Sequence, residues 1–230
     1  MTVRTAGLSL TLVAAITIVD SGAAAREHVA REHVAREHVA RQQRTPEEFA
    51  KFLEGADRVA RMQVPRVVTA LELKPGMKVA DIGAGSGLFT RPIAKAIAPG
   101  GVAYAVDIDA ALLKIVERGA ANEKIANIKT IQATATDPKL PEPVDLAFVC
   151  DTLHHIEKPD AYLQTLKKYL TSEGRIAVID FTERWPQGHE SMRYSLEQLE
   201  GWMKAAGMTR VASHAWLDNS FFVIYRVRTE

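Results

Sequence analysis

The residues Val79 to Thr90, VADIGAGSGLFT, gather the residue types that let a nucleoside lie against bare backbone. An apolar, β-rich run leads into Gly83, Ala84, Gly85, Ser86 and Gly87, and a helical pattern follows. Glycine admits positive φ and removes the Cβ that would hold a ligand off the chain. A helix starting there adds exposed amides and a partial positive charge. The glycines stand at 83, 85 and 87, with Leu88 where G-x-G-x-x-G has its last glycine, so the dinucleotide fingerprint is not met. No G-x-x-x-x-G-K-[ST] sequence occurs, which excludes a phosphate-gripping P-loop. Asp107 closes the next apolar run twenty residues after Gly87, where a carboxylate can accept from both hydroxyls of a ribose. A carboxylate that merely caps a strand end is the plainer alternative. Ile108 offers an apolar face to a base, and Asp109 reads as the cap of the helix beginning at Ala110.

A second group follows the apolar run VDLAFVC. Cys150, Asp151, His154 and His155 fall at the end of a strand, with the two histidines within reach of a reacting group. Either histidine could serve as a base near neutral pH; packing or capping the next helix is the plainer role. Cys150 reads as a small buried residue rather than a nucleophile. The segment TERWPQGHESMRY, residues 182–194, would cover the same mouth, with Trp185, His189, Glu190 and Arg193 as candidate substrate contacts. A solvated cover is the alternative for each of them. No metal site is expected. One cysteine excludes a multi-cysteine zinc site, and His28, His33 and His38 are five residues apart, so on a helix each is turned by about 140° from the last.

Elements able to hold these groups alternate along the chain. Strands are expected over 77–82, 102–106, 128–132, 144–150 and 175–181, with helices over 88–98, 110–119, 161–170 and 195–206. Strands over 211–216 and 220–227 flank the turn residues Asp218 and Asn219. Strand alternating with helix implies a doubly wound, mostly parallel α/β sheet, and two final strands imply an antiparallel hairpin at one edge. Ligands in such folds bind beyond the carboxyl ends of the strands. Thr45, Pro46 and Glu48 start a helix that carries Phe49, Phe52, Leu53, Ala56, Val59 and Ala60 on one face. It is expected to run to Gln63, break or kink at Pro65, resume over 67–73, and lie as a lid with Met62 and Gln63 near the site.

Ahead of this domain, Arg4, the apolar run Leu8 to Val19 and Ala23-Ala24-Ala25 read as a signal peptide over 1–25, which predicts export to the periplasm or beyond. An interfacial helix in a cytoplasmic protein is the alternative. Twelve apolar residues are too few for a stable membrane span, which takes about 20. Residues 26–40 repeat REHVA three times, and 26–44 read as a charged spacer. The 29 Lys and Arg against 28 Asp and Glu supply no basic excess, so nucleic acid is not an expected partner.

DIGAGSGLFT, AVDID and VDLAFVCDTLHHI together resemble the class I S-adenosylmethionine-dependent methyltransferases, in their small-molecule, methyltransferase type 11-like branch. The likeness covers residues 46–230 and implies a Rossmann-like seven-stranded sheet, S-adenosylmethionine as cofactor, and a small-molecule or lipid-like acceptor. It implies that Asp81 lies near the methionine ammonium, that Gly83, Ala84, Gly85 and Gly87 line the methionine end, and that Asp107 and Ile108 hold the ribose and adenine. Thr134 and Ala135 fall beside the adenine, where Thr134 replaces an acid common in the family and Asp137 is a possible substitute. Cys150 and Asp151 border the sulfonium and the acceptor. An NAD-dependent oxidoreductase of similar topology, disfavoured by the glycine spacing, and a non-catalytic cofactor-binding module are the alternatives.

Overall fold

A computed structural model describes residues 44–228. The expected signal peptide and all of the repeat spacer but Arg44 lie outside the described residues. Seven strands form one sheet: Lys78–Ile82 (β1), Val102–Asp107 (β2), Ile128–Gln132 (β3), Val144–Cys150 (β4), Leu170–Phe181 (β5), Met208–His214 (β6) and Ser220–Val227 (β7). Their order is β3-β2-β1-β4-β5-β7-β6. Pairings among β1 to β5 are parallel, whereas β7 is antiparallel to both β5 and β6. The expected α/β architecture with its edge hairpin is thus present. Strand order reverses between β1 and β4, and the crevice beyond their carboxyl ends is the natural ligand position.

The helices are Pro46–Leu53 (α1), Ala56–Met62 (α2), Val64–Ala70 (α3), Thr90–Ala96 (α4), Ala110–Asn122 (α5), Pro159–Lys167 (α6) and Leu196–Ala205 (α7). Alternation along the buried strands splits the core into two layers. Ala80, Ile82, Val149 and Val178 pack with Leu163 of α6 and Leu199 of α7. Val79, Phe148, Ala177 and Ile179 pack on the other face with Val67 of α3 and Ile93 of α4. Both faces of the central strands are covered, as a parallel sheet requires.

Local signals predicted the helix starts well. Thr45 with Glu48, and Ser195 with Gln198, form reciprocal capping boxes at α1 and α7. The expected continuous lid helix is instead divided. Gly55 caps α2, and Gln63, with φ of 43°, breaks the chain two residues before Pro65. Pro65 sits in the first turn of α3, where its missing amide costs nothing. The helix expected from Leu88 begins at Thr90, because Phe89 is its cap. The expected end of α6 at Leu170 belongs to β5, which reaches back to Leu170 through a register shift against β4. β6 runs over 208–214 rather than 211–216. It is an outer strand with a shift between Arg210 and Ala212, so its burial does not follow a clean period of two.

Candidate active site

The glycine loop is tied to the end of β2 by two backbone bonds, from the Gly83 and Ala84 amides to the Val106 carbonyl, at 2.8 and 3.0 Å. Asp107 completes the connection. Its Oδ2 accepts from the Gly85 amide and its Oδ1 from the Asp109 amide, both at 2.9 Å. A carboxylate has about four acceptor positions, so these two bonds do not exhaust it. Asp109 caps α5 through Ala111, as expected. Gly83, Gly85 and Gly87 all have positive φ. Ala84 buries its methyl beside Ala105 and Val116, so it can meet a ligand only through its backbone.

Gly83 has no room for a larger residue. A Cβ there would stand 2.3 Å from Oγ1 of Thr152, which itself donates to the Cys150 carbonyl at 2.8 Å. Gly83→Ala is expected to lower stability by roughly 2 to 4 kcal/mol, combining left-handed backbone strain with overpacking. Adding Thr152→Ala should recover part of the loss, a non-additivity that urea unfolding of the four-member cycle would measure.

Asp81, at the end of β1, is 3% exposed and accepts from the Thr90 hydroxyl at 2.5 Å. Burial, reinforced by the nearby Asp107 charge, pushes its carboxyl up to about 7 despite the Thr90 bond and Arg58. A buried acid of this kind is poised to meet a cation. Across the crevice, Asp151 has φ of 49° and is paired with Arg58 at 3.1 Å and Arg61 at 3.6 Å. Both guanidiniums come from α2, and Leu53 at the end of α1 rests against Gly85. Arg91 adds a staple, donating to the Ser86 carbonyl and pairing with Glu54 and Glu123. The N-terminal helices are therefore tied to the ends of β1 and β4 by charge pairs invisible to periodicity.

On the other side of Asp151, His154 is buried. Its Nδ1 lies 2.8 Å from Oδ1 of Asp180, whose side chain is fully buried. Asp180 also accepts from the Phe181 amide at 3.0 Å and the Tyr194 hydroxyl at 2.9 Å. Burial, with Asp180 beside it, pushes the Tyr194 hydroxyl far up and keeps it a donor. With Nδ1–H donated to a carboxylate, the lone pair of His154 is on Nε2. His155, His189 and Trp185 pack their rings against His154 at centroid distances of 4.1, 5.1 and 5.3 Å.

The structure brings together Asp81, the glycine loop, Asp107 and half-exposed Ile108 on one side, and Asp151, His154, His155, Trp185 and His189 on the other. Several expectations need correcting. Asp151, expected beside the acceptor, pairs through Oδ2 with Arg58 and Arg61 of α2, and its Oδ1 is buried without a partner among the described residues. Cys150 turns its thiol into the core, 3.6 Å from the sulfur of fully buried Met62, and burial raises its pKa well above the usual thiol range. Met62 is thus core, and Gln63 donates to the Trp216 carbonyl. Thr134 and Ala135 are exposed, with Thr134 bonded to the Asp137 carbonyl. Asp137 gives one carboxylate oxygen to Tyr169 and Lys139, which argues against its standing in for the adenine-binding acid. Arg193 is exposed, and Glu190 accepts from the Gly188 amide within its own loop.

Sequence reasoning missed Asp180, Tyr194, Thr90 and the arginines of α2. Asp180 left a trace, as the lone acid near the end of the apolar run RIAVIDF. The convergence of His154, His155 and His189 was also missed.

Two features test whether a nucleoside sulfonium suits the crevice. Ser86 Oγ and Asp151 Oδ1 are buried without a partner among the described residues, and Asp81 and Asp107 set two carboxylates at the ends of β1 and β2. Buried polar oxygens without partners and two carboxylates, Asp81 and Asp107, fit a cationic nucleoside.

A doubly wound domain with this loop and acid at its switch point defines the class: a nucleoside-binding α/β domain of the Rossmann-like methyltransferase type. The chain belongs to the methyltransferase-domain family, whose model matches residues 73–217, and within it to the class I enzymes that use S-adenosylmethionine. It is 31% identical over 121 residues to the ubiquinone/menaquinone biosynthesis C-methyltransferase UbiE of Burkholderia vietnamiensis, a match covering 51% of this chain and 49% of that protein. The chain spans about half the length of the curated relatives it matches. Among solved structures, an Aquifex aeolicus SAM-dependent methyltransferase superposes with a TM-score of 0.71 at 22% identity, over 80% of this chain and 100% of that one. The magnesium protoporphyrin IX methyltransferase of Synechocystis PCC 6803, solved with SAH bound, gives 0.60 at 17%, over 74% and 84%. These two likenesses are likenesses of fold. Among the described residues, no helix is long and apolar enough to cross a membrane.

Proposed function

We propose that the chain transfers a methyl group from S-adenosylmethionine to a small acceptor with a planar ring. The observation that carries this reading is the bond from the Gly85 amide to Asp107, which ties a strand-end carboxylate to the glycine loop, where it can meet a ribose. When bound, the cofactor supplies an activated methyl on a positively charged sulfur. The chain's own residues bind and align. Asp107 holds the ribose, Ile108 faces the base, and Asp81 offers its carboxylate to the methionine ammonium. Holding two reactants in line and excluding water can lower a barrier by up to about 7 to 11 kcal/mol, so positioning is most of the work.

On the acceptor side, Asp180 fixes the tautomer of His154 and leaves Nε2 as its lone-pair atom. Phe181, Trp185 and the histidine rings pack edge-to-face and tilted beside one another, an aromatic cluster that suits a planar acceptor. The relationship to quinone-biosynthesis C-methyltransferases points the same way. Calorimetry with S-adenosylmethionine and S-adenosylhomocysteine tests the reading. Saturable binding of both is expected, and folded protein that binds neither would overturn it. A thermal shift with NAD(H) in place of these ligands would favour an oxidoreductase. Binding without turnover on a panel of ring acceptors would favour a non-catalytic module.

A further inference from the structure

We propose that His154, His155 and His189 form a site for one divalent first-row transition-metal ion. One ring nitrogen from each lies within 4.8 Å of the other two. The three rings pack against one another, with His189 at 5.1 Å from both His154 and His155. Imidazole nitrogen suits zinc, copper, nickel and iron, and no cysteine accompanies these ligands. Zinc bonds to nitrogen at about 2.0 to 2.1 Å, which sets tetrahedral ligand atoms about 3.3 Å apart. Modest ring rotations of His155 and His189 towards His154 would close the site.

The Asp180 pair is the second observation that points to a metal. Histidines that ligate metals commonly donate their other ring N–H to a carboxylate, which fixes the tautomer and strengthens the donor. His154 has this partner at 2.8 Å, and Tyr194 and the Phe181 amide hold Asp180 in turn. His155 is exposed, so an ion has a route from solvent. Three protein nitrogens leave a coordination position for water or a substrate oxygen, the pattern of catalytic rather than structural zinc. The site does not depend on the methyl-transfer reading. Its consequence does: the acceptor would then carry a hydroxyl or carbonyl oxygen that the ion can polarise.

The test uses the full chain carrying His28→Ala, His33→Ala and His38→Ala, which leaves His214 as the one histidine outside the cluster. Zinc is titrated against a chromophoric chelator without nucleoside present, and cobalt(II) is followed by its visible spectrum. One equivalent of zinc is expected. Added His155→Ala, at an exposed position the fold tolerates, should weaken binding by more than about 100-fold, and His189→Ala should do the same. Asp180→Asn, removing a positioning residue, should weaken it by about 10- to 100-fold and shift the cobalt bands. No stoichiometric binding, or binding unchanged in both histidine variants, would reject the site. Calorimetry with S-adenosylhomocysteine on the same proteins reads the glycine loop separately. Failure of the metal with nucleoside binding intact rejects the metal site alone, and the reverse pattern rejects the methyl-transfer reading alone.

Discussion

Asp107→Ala is expected to weaken S-adenosylhomocysteine binding by about 10²- to 10⁴-fold. A hydrogen bond to a charged acceptor contributes about 1.5 to 3 kcal/mol, and a ribose held through both hydroxyls would make two. Each 1.4 kcal/mol is about tenfold in affinity, so their combined loss falls in that range. The same substitution deprives the Gly85 and Asp109 amides of their acceptor. Part of the loss therefore reflects a loosened loop. Asp107→Asn separates the two contributions, because its amide oxygen can still accept from one backbone amide while the charge is gone. It should lose only about 10- to 100-fold. Calorimetry on both variants, with melting curves to verify folding, measures these effects. A loss below about threefold for the alanine variant would remove Asp107 from the site.

The second large effect is a reversal at Asp81 between stability and binding. Its carboxyl titrates at about 7 in the fold, against 3.8 ordinarily. A group whose pKa is raised by folding contributes stability that is complete below 3.8 and lost as pH rises through about 7. The two values differ by about three pH units, which corresponds to roughly 4 kcal/mol, a cost the free protein bears at pH 8. Asp81→Asn keeps an acceptor for the Thr90 hydroxyl and carries no charge. It should stabilise the free protein at pH 8 by roughly 2 to 4 kcal/mol in urea unfolding. Nucleoside binding should move the opposite way. A methionine ammonium needs the ionised carboxylate, so affinity of the native protein should rise about tenfold per pH unit up to about 7 and level off above. The asparagine variant should bind weakly with that step missing. Native affinity that is flat from pH 5.5 to 8.5 would separate Asp81 from the ammonium.

This opposition also explains why a charge is buried there. A carboxylate that costs stability where it stands is characteristic of a binding site rather than of core packing.

Much of the architecture was legible in the linear chain because its determinants are local. The capping boxes at Thr45 and Ser195 join residues three apart. The glycine loop needs positive φ at Gly83, Gly85 and Gly87, which residue type alone predicts. β4 and β7 match their expected limits because a buried strand leaves a nearly uninterrupted apolar run, whereas the half-exposed β6 does not. Asp107 was identifiable because strand, turn and helix lengths in a βαβ unit fix how far the second strand end lies from the glycine loop.

Residue types and short-range spacing thus determined the elements, the alternation that makes them one mostly parallel sheet, and the glycine loop with its strand-end acid. Only the tertiary structure decided the rest of the site. Asp180 meets His154 because β5 lies beside β4, Arg58 reaches Asp151 across 93 positions, and His189 joins His154 and His155 from a loop with no periodicity. Local signals act within about one helical turn or a strand pair. Side chains far apart in the chain meet only after the core has set the strand order, and the contact then depends on the whole packing rather than on any motif.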